Sequence, residues 1–131
     1  MEDFVSFEIA KKLKEKGFMQ KVVYYYNEKG KVNVYKSYTI GNIEHSWLDF
    51  RTNKNMCESS PWCDAPTISQ VLKWLREEKH IHICTDFDKD MNWYYQIAIY
   101  GSTDITAEGC GFKSYEDAMI AGIEYVLDDL I

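Results

Sequence analysis

The residues best suited to chemistry are two histidines and a cysteine that alternate with isoleucine over positions 80–84. On a β-strand, alternate side chains share one face and lie about 6.8 Å apart. His80, His82 and Cys84 would then face one side, while the isoleucines between them enter the core. Imidazole and thiolate are preferred ligands of zinc, so this segment is a candidate metal site.

Completing a zinc site requires further ligands. Cys57 and Cys63 are available, but five residues separate them, which is not the two-residue spacing of a zinc knuckle. The simpler interpretation is exposed strand histidines and ordinary reduced thiols. We adopt it and predict no metal and no cofactor. Whether His80, His82 and Cys84 bind a metal stays open.

Two other sets of residues lack the surroundings that catalysis or ion binding requires. Cys110 lies between two glycines, as in an exposed turn, but no signature of a cysteine enzyme surrounds it. Asp86, Asp88 and Asp90 alternate like the start of a calcium loop, which needs glycine at its sixth position and glutamate at its twelfth. Methionine and isoleucine stand there instead. We predict no catalytic residue and no enzymatic activity.

Aromatic residues are concentrated in two segments. The first contains Tyr24, Tyr25, Tyr26, Tyr35 and Tyr38, and the second contains Trp93, Tyr94, Tyr95 and Tyr100. Such rings can stack on the bases of single-stranded nucleic acid, and they also form strands and fill cores. The candidate binding surface is Tyr24, Tyr26, Tyr35, Trp93 and Tyr95.

The first third of the chain predicts a helix followed by a hairpin. Apolar residues at helical spacing predict a helix over about residues 4–16, which Gly17 ends. The strand-prone segments 21–27 and 31–38 flank a short glycine-containing turn, and 43–51 is a weaker third strand. Residues 52–66 contain both prolines and predict a long loop of unassigned role.

From residue 67 onward, the sequence again predicts a helix followed by a hairpin. Thr67 opens a second amphipathic helix, segments 80–87 and 93–100 form a second hairpin, and a short strand follows near 105–112. Ser114 then caps the last helix. The buried face of the second helix is predicted to contain Ile68, Val71, Leu72 and Leu75.

These elements predict an α+β fold. The order is helix, two or three strands, helix, two or three strands, helix, which we write α-ββ(β)-α-ββ(β)-α. The turns are too short for parallel crossovers, so the strands form antiparallel hairpins or meanders. At 131 residues, the chain is expected to be one domain, residues 1–131.

The composition favours a soluble cytoplasmic protein. No apolar run reaches the roughly 20 residues that span a bilayer. The first residues are acidic, where a secretory signal would be basic. Four cysteines without such a signal are expected to be free thiols.

Charge is unevenly distributed. Residues 1–40 hold eight lysines against five acids, a net of +3, and the rest hold seven basic against sixteen acidic residues, a net of −9. The total is −6. An acidic surface favours a basic partner, such as a nucleic-acid-binding protein.

Two segments carry a resemblance. Residues 65–77 (APTISQVLKWLRE) and 112–127 resemble a family of small uncharacterised bacterial proteins encoded by prophages and other mobile elements. The likeness lies mainly in the last two helices and implies a common fold and a phage-related origin. It implies no catalytic residues.

The sequence thus predicts a small accessory protein that binds a protein partner without catalysis. The alternative is a single-stranded nucleic-acid binder that uses the lysine-rich first helix and the tyrosine-rich hairpin. A zinc or thiol enzyme is a weaker alternative. The sequence indicates neither the partner nor the oligomeric state.

Overall fold

The computed structural model describes residues 4–20, 22–34, 37–40, 43–46, 62–102 and 104–131, the side chains of 37–40 and 43–46 excepted. The chain divides into two compact units, Met1–Thr67 and Ile68–Ile131, and each is described by itself. The expectation of one domain stays a prediction.

The first unit begins with helix α1, Phe7–Glu15. Ser6 caps its start, where the hydroxyl oxygen accepts the N–H of the third helical residue at 3.2 Å. At its end Gly17 has a φ of +85°, and the Phe18 N–H donates to the Leu13 carbonyl at 3.0 Å. This bond and the left-handed glycine form a Schellman motif, which confirms the predicted helix end.

The strands of the first unit are β1 (Tyr24–Tyr26), β2 (Val32–Val34), β3 (Ser37–Ile40), β4 (Ile43–Ser46) and β5 (Cys63–Asp64). One antiparallel sheet has the order β2-β1-β5, and β3 pairs with β4 in a separate two-stranded ladder. The predicted first hairpin is therefore confirmed.

Local turn chemistry explains that hairpin. The Asn27 side-chain oxygen accepts backbone N–H groups of Lys29 at 2.9 Å and Lys31 at 3.1 Å. Gly30 has a φ of +76°, a conformation that glycine adopts at low cost. The chain consequently reverses within the predicted turn.

Strand β5 was not predicted. The end of the expected 52–66 loop instead pairs with β1, and Cys63 and Asp64 are both buried. The short segment has no alternating pattern that distinguishes a strand from a loop, so only the long-range pairing reveals it. Residues 52–61 lie outside the described part of the chain.

The elements of the second unit are helix α2 (Ile68–Glu78), strands β6 (Ile81–Phe87), β7 (Trp93–Ile99) and β8 (Ala107–Phe112), helix α3 (Tyr115–Tyr125) and a terminal π-helical turn (Val126–Leu130). The three strands form an antiparallel sheet in chain order. Helix α3 packs on all three strands, and α2 contacts β6.

Alternate strand residues face the helices. Ile81 and Ile83 of β6 and Ile97 of β7 are buried beneath α3, which contributes Met119 and Ile123. On α2, Leu72 is only half-buried, and Trp74 is buried in its place. The predicted stripe is correct for Ile68, Val71 and Leu75.

The described residues therefore form an α+β fold with three helices and two three-stranded antiparallel sheets. The order approximates the predicted α-ββ(β)-α-ββ(β)-α. The difference lies in the first unit, where β5 joins a sheet with β1 instead of leaving the hairpin alone.

Candidate interaction surface

Three aromatic residues form a row across the sheet of the second unit. Phe87 of β6 pairs with Trp93 of β7, which pairs with Phe112 of β8. The Phe87 and Trp93 rings are 5.4 Å apart between centroids, and Tyr115 meets Trp93 edge-on at 5.9 Å. We call Phe87, Trp93, Phe112 and Tyr115 the aromatic patch.

The aromatic patch reaches solvent. Phe87 is 56% exposed and Tyr115 is 42% exposed, while Trp93 and Phe112 are partly exposed. Exposed large apolar side chains are common singly, but a contiguous group is typical of a binding surface.

The position of α3 explains this exposure. Phe87 lies on the same face of β6 as the buried Ile81 and Ile83, by strand alternation. Tyr115, the first residue of α3, contacts Trp93, and Gly122 lies further along against Ile83. The helix therefore covers the sheet from the Trp93 row onward and leaves the hairpin end of the same face open.

A tight turn holds the hairpin beside the patch. One carboxylate oxygen of Asp88 accepts the N–H groups of Asp90 at 2.9 Å and Asn92 at 3.0 Å. Met91 has a φ of +63° and is exposed at the tip. Asp88 is one of the aspartates that alternate like the start of a calcium loop, and its side chain shapes the turn by accepting backbone N–H groups. Such Asx bonds are ordinary turn chemistry.

Acidic residues surround the patch in sequence. Exposed acids adjoining it are Asp86, Asp88, Asp90, Glu116 and Asp117, and the exposed lysines among them are Lys89 and Lys113. Asp86 precedes Phe87 but alternates to the opposite face of β6, whereas Asp88 and Asp90 follow Phe87 in the turn and Glu116 follows Tyr115. The ring surface is therefore set in a region of net negative charge.

The residues of the predicted binding surface have different locations. Tyr26 and Tyr95 are each only 7% exposed, which removes them from any surface, whereas Tyr24 is 37% exposed and Trp93 belongs to the aromatic patch. Tyr35 lies outside the described residues. Binding by the accessible members stays a prediction.

Packing explains why Tyr26 is buried while Tyr24 is not. The Tyr26 hydroxyl donates to the Val5 carbonyl, and its ring lies 5.4 Å from that of Phe7 at the start of α1. Burial raises the pKa of Tyr26. Tyr24, two residues away on the same face, meets Phe4 edge-on at 4.9 Å and remains accessible.

A second aromatic group lies on the first unit. The rings of Tyr25 and Trp62 stack at 5.2 Å with 24° between their planes. The Trp62 indole N–H donates to the Glu28 carboxylate, and the Lys14 ammonium donates to the Trp62 carbonyl at 2.7 Å. Backbone hydrogen bonding, together with the Trp62 contact, lowers the pKa of Glu28. Trp62 is not among the residues of the predicted binding surface, because it lies in a loop that has neither helical nor strand periodicity.

The candidate metal residues are only partly aligned. His82 and Cys84 face outward from β6 as predicted, but His80 precedes the strand with a φ of +59° and lies 5.7 Å from the Tyr100 ring. Strand alternation therefore does not extend to His80. Across the described ranges, no three histidine, cysteine or acidic residues are grouped to hold a metal ion. Cys57 lies outside those ranges.

The outer face of the second sheet carries an open groove of about 450 Å³, lined by Tyr94, Gln96, Glu108, Gly109 and Cys110. Cys110 is exposed, as its glycine neighbours predicted. The described lining holds a thiol and a carboxylate but no imidazole to activate the thiol.

Cys63 has a different environment. It is buried, and this burial raises the pKa of its thiol to about 11, with Lys14 and Lys11 acting in the opposite direction and Asp64 adding to the rise. A protonated buried thiol is a poor nucleophile and a poor metal ligand.

Comparison with protein-family models, curated proteins and solved structures finds no match to this chain. The resemblance to a prophage-encoded family stays a prediction. None of the helices in the described part of the chain has both the length and the apolar character of a membrane-spanning segment.

Proposed function

We propose that this protein is a non-catalytic interaction module that binds a protein partner through the aromatic patch. The observation that carries the proposal is the row Phe87–Trp93–Phe112, capped by Tyr115. Binding hot spots are enriched in tryptophan and tyrosine, because rigid rings bury much area at little entropic cost.

The β6–β7 turn and α3 support this assignment because they hold the rings in place before binding. Trp93 is held between Phe87 and Tyr115, and Ser114 fixes the start of the helix that carries Tyr115. A surface that is already ordered loses less entropy when a partner binds.

Peptide selection tests this function. The purified chain is immobilised, a random peptide library is displayed on phage, and enriched peptides are titrated against the wild type and the Phe87→Ser/Tyr115→Ser variant. We expect the double variant to bind roughly tenfold or more weakly, as for hot-spot residues.

Tyr100→Ser is the matched control, because Tyr100 is 60% exposed and lies outside the patch. Its affinity should equal that of the wild type. A selection that enriches no peptide, or peptides that bind the double variant as tightly as the wild type, would contradict the proposal.

The cellular location, the origin and the charge of the partner are also part of the proposal. We infer a cytoplasmic accessory protein of phage-related origin, on the basis of the segments 65–77 and 112–127 and the acidic composition. Its expected partner is basic, because the chain from residue 41 onward has a net charge of −9.

A second function has one specific observation in its favour. The Lys14 ammonium of α1 donates to the Trp62 carbonyl, and the Trp62 ring stacks on Tyr25. The lysine-rich helix and a partly exposed aromatic pair are therefore adjacent. Single-stranded nucleic acid binds such combinations of cations and rings. Fluorescence anisotropy with a labelled oligonucleotide tests it, because binding by this group must weaken with salt and with Lys14→Ala.

A further inference from the structure

We infer that the segment held by the aromatic patch is cationic: an extended polypeptide whose arginine or lysine side chains stack on the exposed Phe87 and Tyr115 rings while their charges face the acids of the hairpin turn and of the first turn of α3. This inference rests on the proposed function and names the chemistry of its partner.

The chemistry of the rings is the first step. An aromatic ring has a negative face, and a cation over tryptophan or tyrosine is attracted to it. Phe87 and Tyr115 both meet Trp93 edge-on, with interplanar angles of 62° and 86°. Trp93 is contacted by both neighbours and is only partly exposed, whereas Phe87 is 56% and Tyr115 is 42% exposed, so these two rings present the accessible aromatic surface. Rings arranged in this way can accept guanidinium groups as well as aliphatic side chains.

The charge around the rings is the second step. Each exposed ring is followed in sequence by acids: Asp88 and Asp90 of the hairpin turn follow Phe87, and Glu116 follows Tyr115. All are exposed. An anionic or neutral partner would gain nothing from these carboxylates, whereas a cationic one gains both steering and contact energy.

The sheet defines the shape of the partner. The patch runs across three strands, which neighbour one another at about 4.8 Å, so it is roughly 10 Å wide and shallow. A shallow row suits an extended segment with alternating long side chains more than a helix seated in a groove.

Two synthetic peptides test the inference: an extended peptide that alternates arginine and leucine, and the same peptide with citrulline in place of arginine. Citrulline keeps the shape and removes the charge. Binding is measured by calorimetry at low and high ionic strength to the wild type, to Asp90→Asn/Glu116→Gln, and to the control Glu77→Gln/Asp104→Asn. The control removes the same number of charges from exposed positions of the same unit that lie outside the patch.

We expect the arginine peptide to bind the wild type and the control alike, and the Asp90→Asn/Glu116→Gln variant roughly three- to tenfold more weakly. The citrulline peptide should bind more weakly than the arginine peptide, and the difference should shrink at high salt.

Three results would overturn the inference. Equal binding of the two peptides, with both lost in Phe87→Ser, would leave the patch as a docking site for a neutral partner and the proposed function intact. Arginine-peptide binding that is unaffected by Phe87→Ser would place the interaction elsewhere. Failure of both peptides, when library-selected peptides do bind the patch, would refute the cationic partner alone.

Discussion

Gly109 of β8 lies against the ring of Tyr95 on the neighbouring strand. A Cβ placed on Gly109 would be 2.7 Å from Tyr95 Cζ and 2.9 Å from its hydroxyl oxygen. The two residues are cross-strand partners, so the ring occupies the space that a side chain at 109 would take. This packing keeps Tyr95 buried, within the core and not on a binding surface.

Gly109→Ala should therefore destabilise the protein. Inserting a methyl group into a packed site displaces the ring or the strand and costs about 1–3 kcal/mol of the free energy of unfolding. Urea denaturation measures this. Cys110→Ala is the control, because Cys110 is exposed beside the same glycine, and we expect a change within about 0.5 kcal/mol. Equal stability of the two variants would refute the close packing of Gly109 on Tyr95.

Loss of the helix cap beside the patch should also be measurable. The Ser114 hydroxyl oxygen accepts the Asp117 N–H at 3.1 Å, so Ser114→Ala should lower the free energy of unfolding by about 1 kcal/mol. Lys113→Ala, at the preceding exposed position, should have little effect. If Ser114→Ala unfolds at the wild-type urea concentration, the cap does not stabilise α3.

The Cys63 thiol predicts a loss of stability at alkaline pH. Its folded pKa of about 11 lies above the ordinary 9.0, so folding favours the protonated thiol. The resulting stabilisation is complete below pH 9 and is lost as the pH rises through 11, by roughly 3 kcal/mol.

The free energy of unfolding is measured by urea denaturation between pH 9 and 11 for the wild type and for Cys63→Ala. The difference between the two proteins isolates the contribution of the thiol from that of other groups. The variant should be less stable throughout and should have a smaller dependence on pH. Parallel pH profiles for the two proteins would show that the Cys63 pKa is unchanged by folding.

We expect the contact between Glu28 and Trp62 to be lost at acid pH. The pKa of Glu28 lies below its ordinary 4.5, so the contact with the ionised carboxylate is present at neutral pH and is lost as the pH falls through the lowered pKa. The Trp62 indole N–H resonance should shift with that midpoint in NMR spectra, and the shift should be absent in Glu28→Ala. Titration at or above 4.5 would contradict the contact.

Sequence reasoning succeeded where the deciding interactions are local. The Gly17–Phe18 helix end, the Gly30 turn and the Ser114 cap each depend on bonds that span only a few residues. Such bonds depend on residue type and spacing, so the pattern alone predicts them. The burial of Ile81 and Ile83 was also predicted from the sequence, because side chains alternate between the two faces of a strand whatever the rest of the chain does.

The candidate site was predicted only in part. Of the rings that the sequence selected on this sheet, Trp93 is partly exposed and Tyr95 is buried, and Phe87, Phe112 and Tyr115 were not selected. Trp93 and Tyr95 lie on the same face of β7, so periodicity cannot separate them. Their difference in exposure arises because α3 starts beside Trp93 and covers Tyr95.

The sequence by itself therefore determined the α+β class, both predicted hairpins, the helix end at Gly17 and the Ser114 cap, because short-range bonds and strand alternation control them. Only the tertiary structure decided which rings reach solvent and that Cys63–Asp64 forms a strand. The physical reason is that burial depends on where a covering helix lies on the sheet and on which distant strand offers free backbone groups. Both are relations between segments far apart in the chain, and no local pattern contains them.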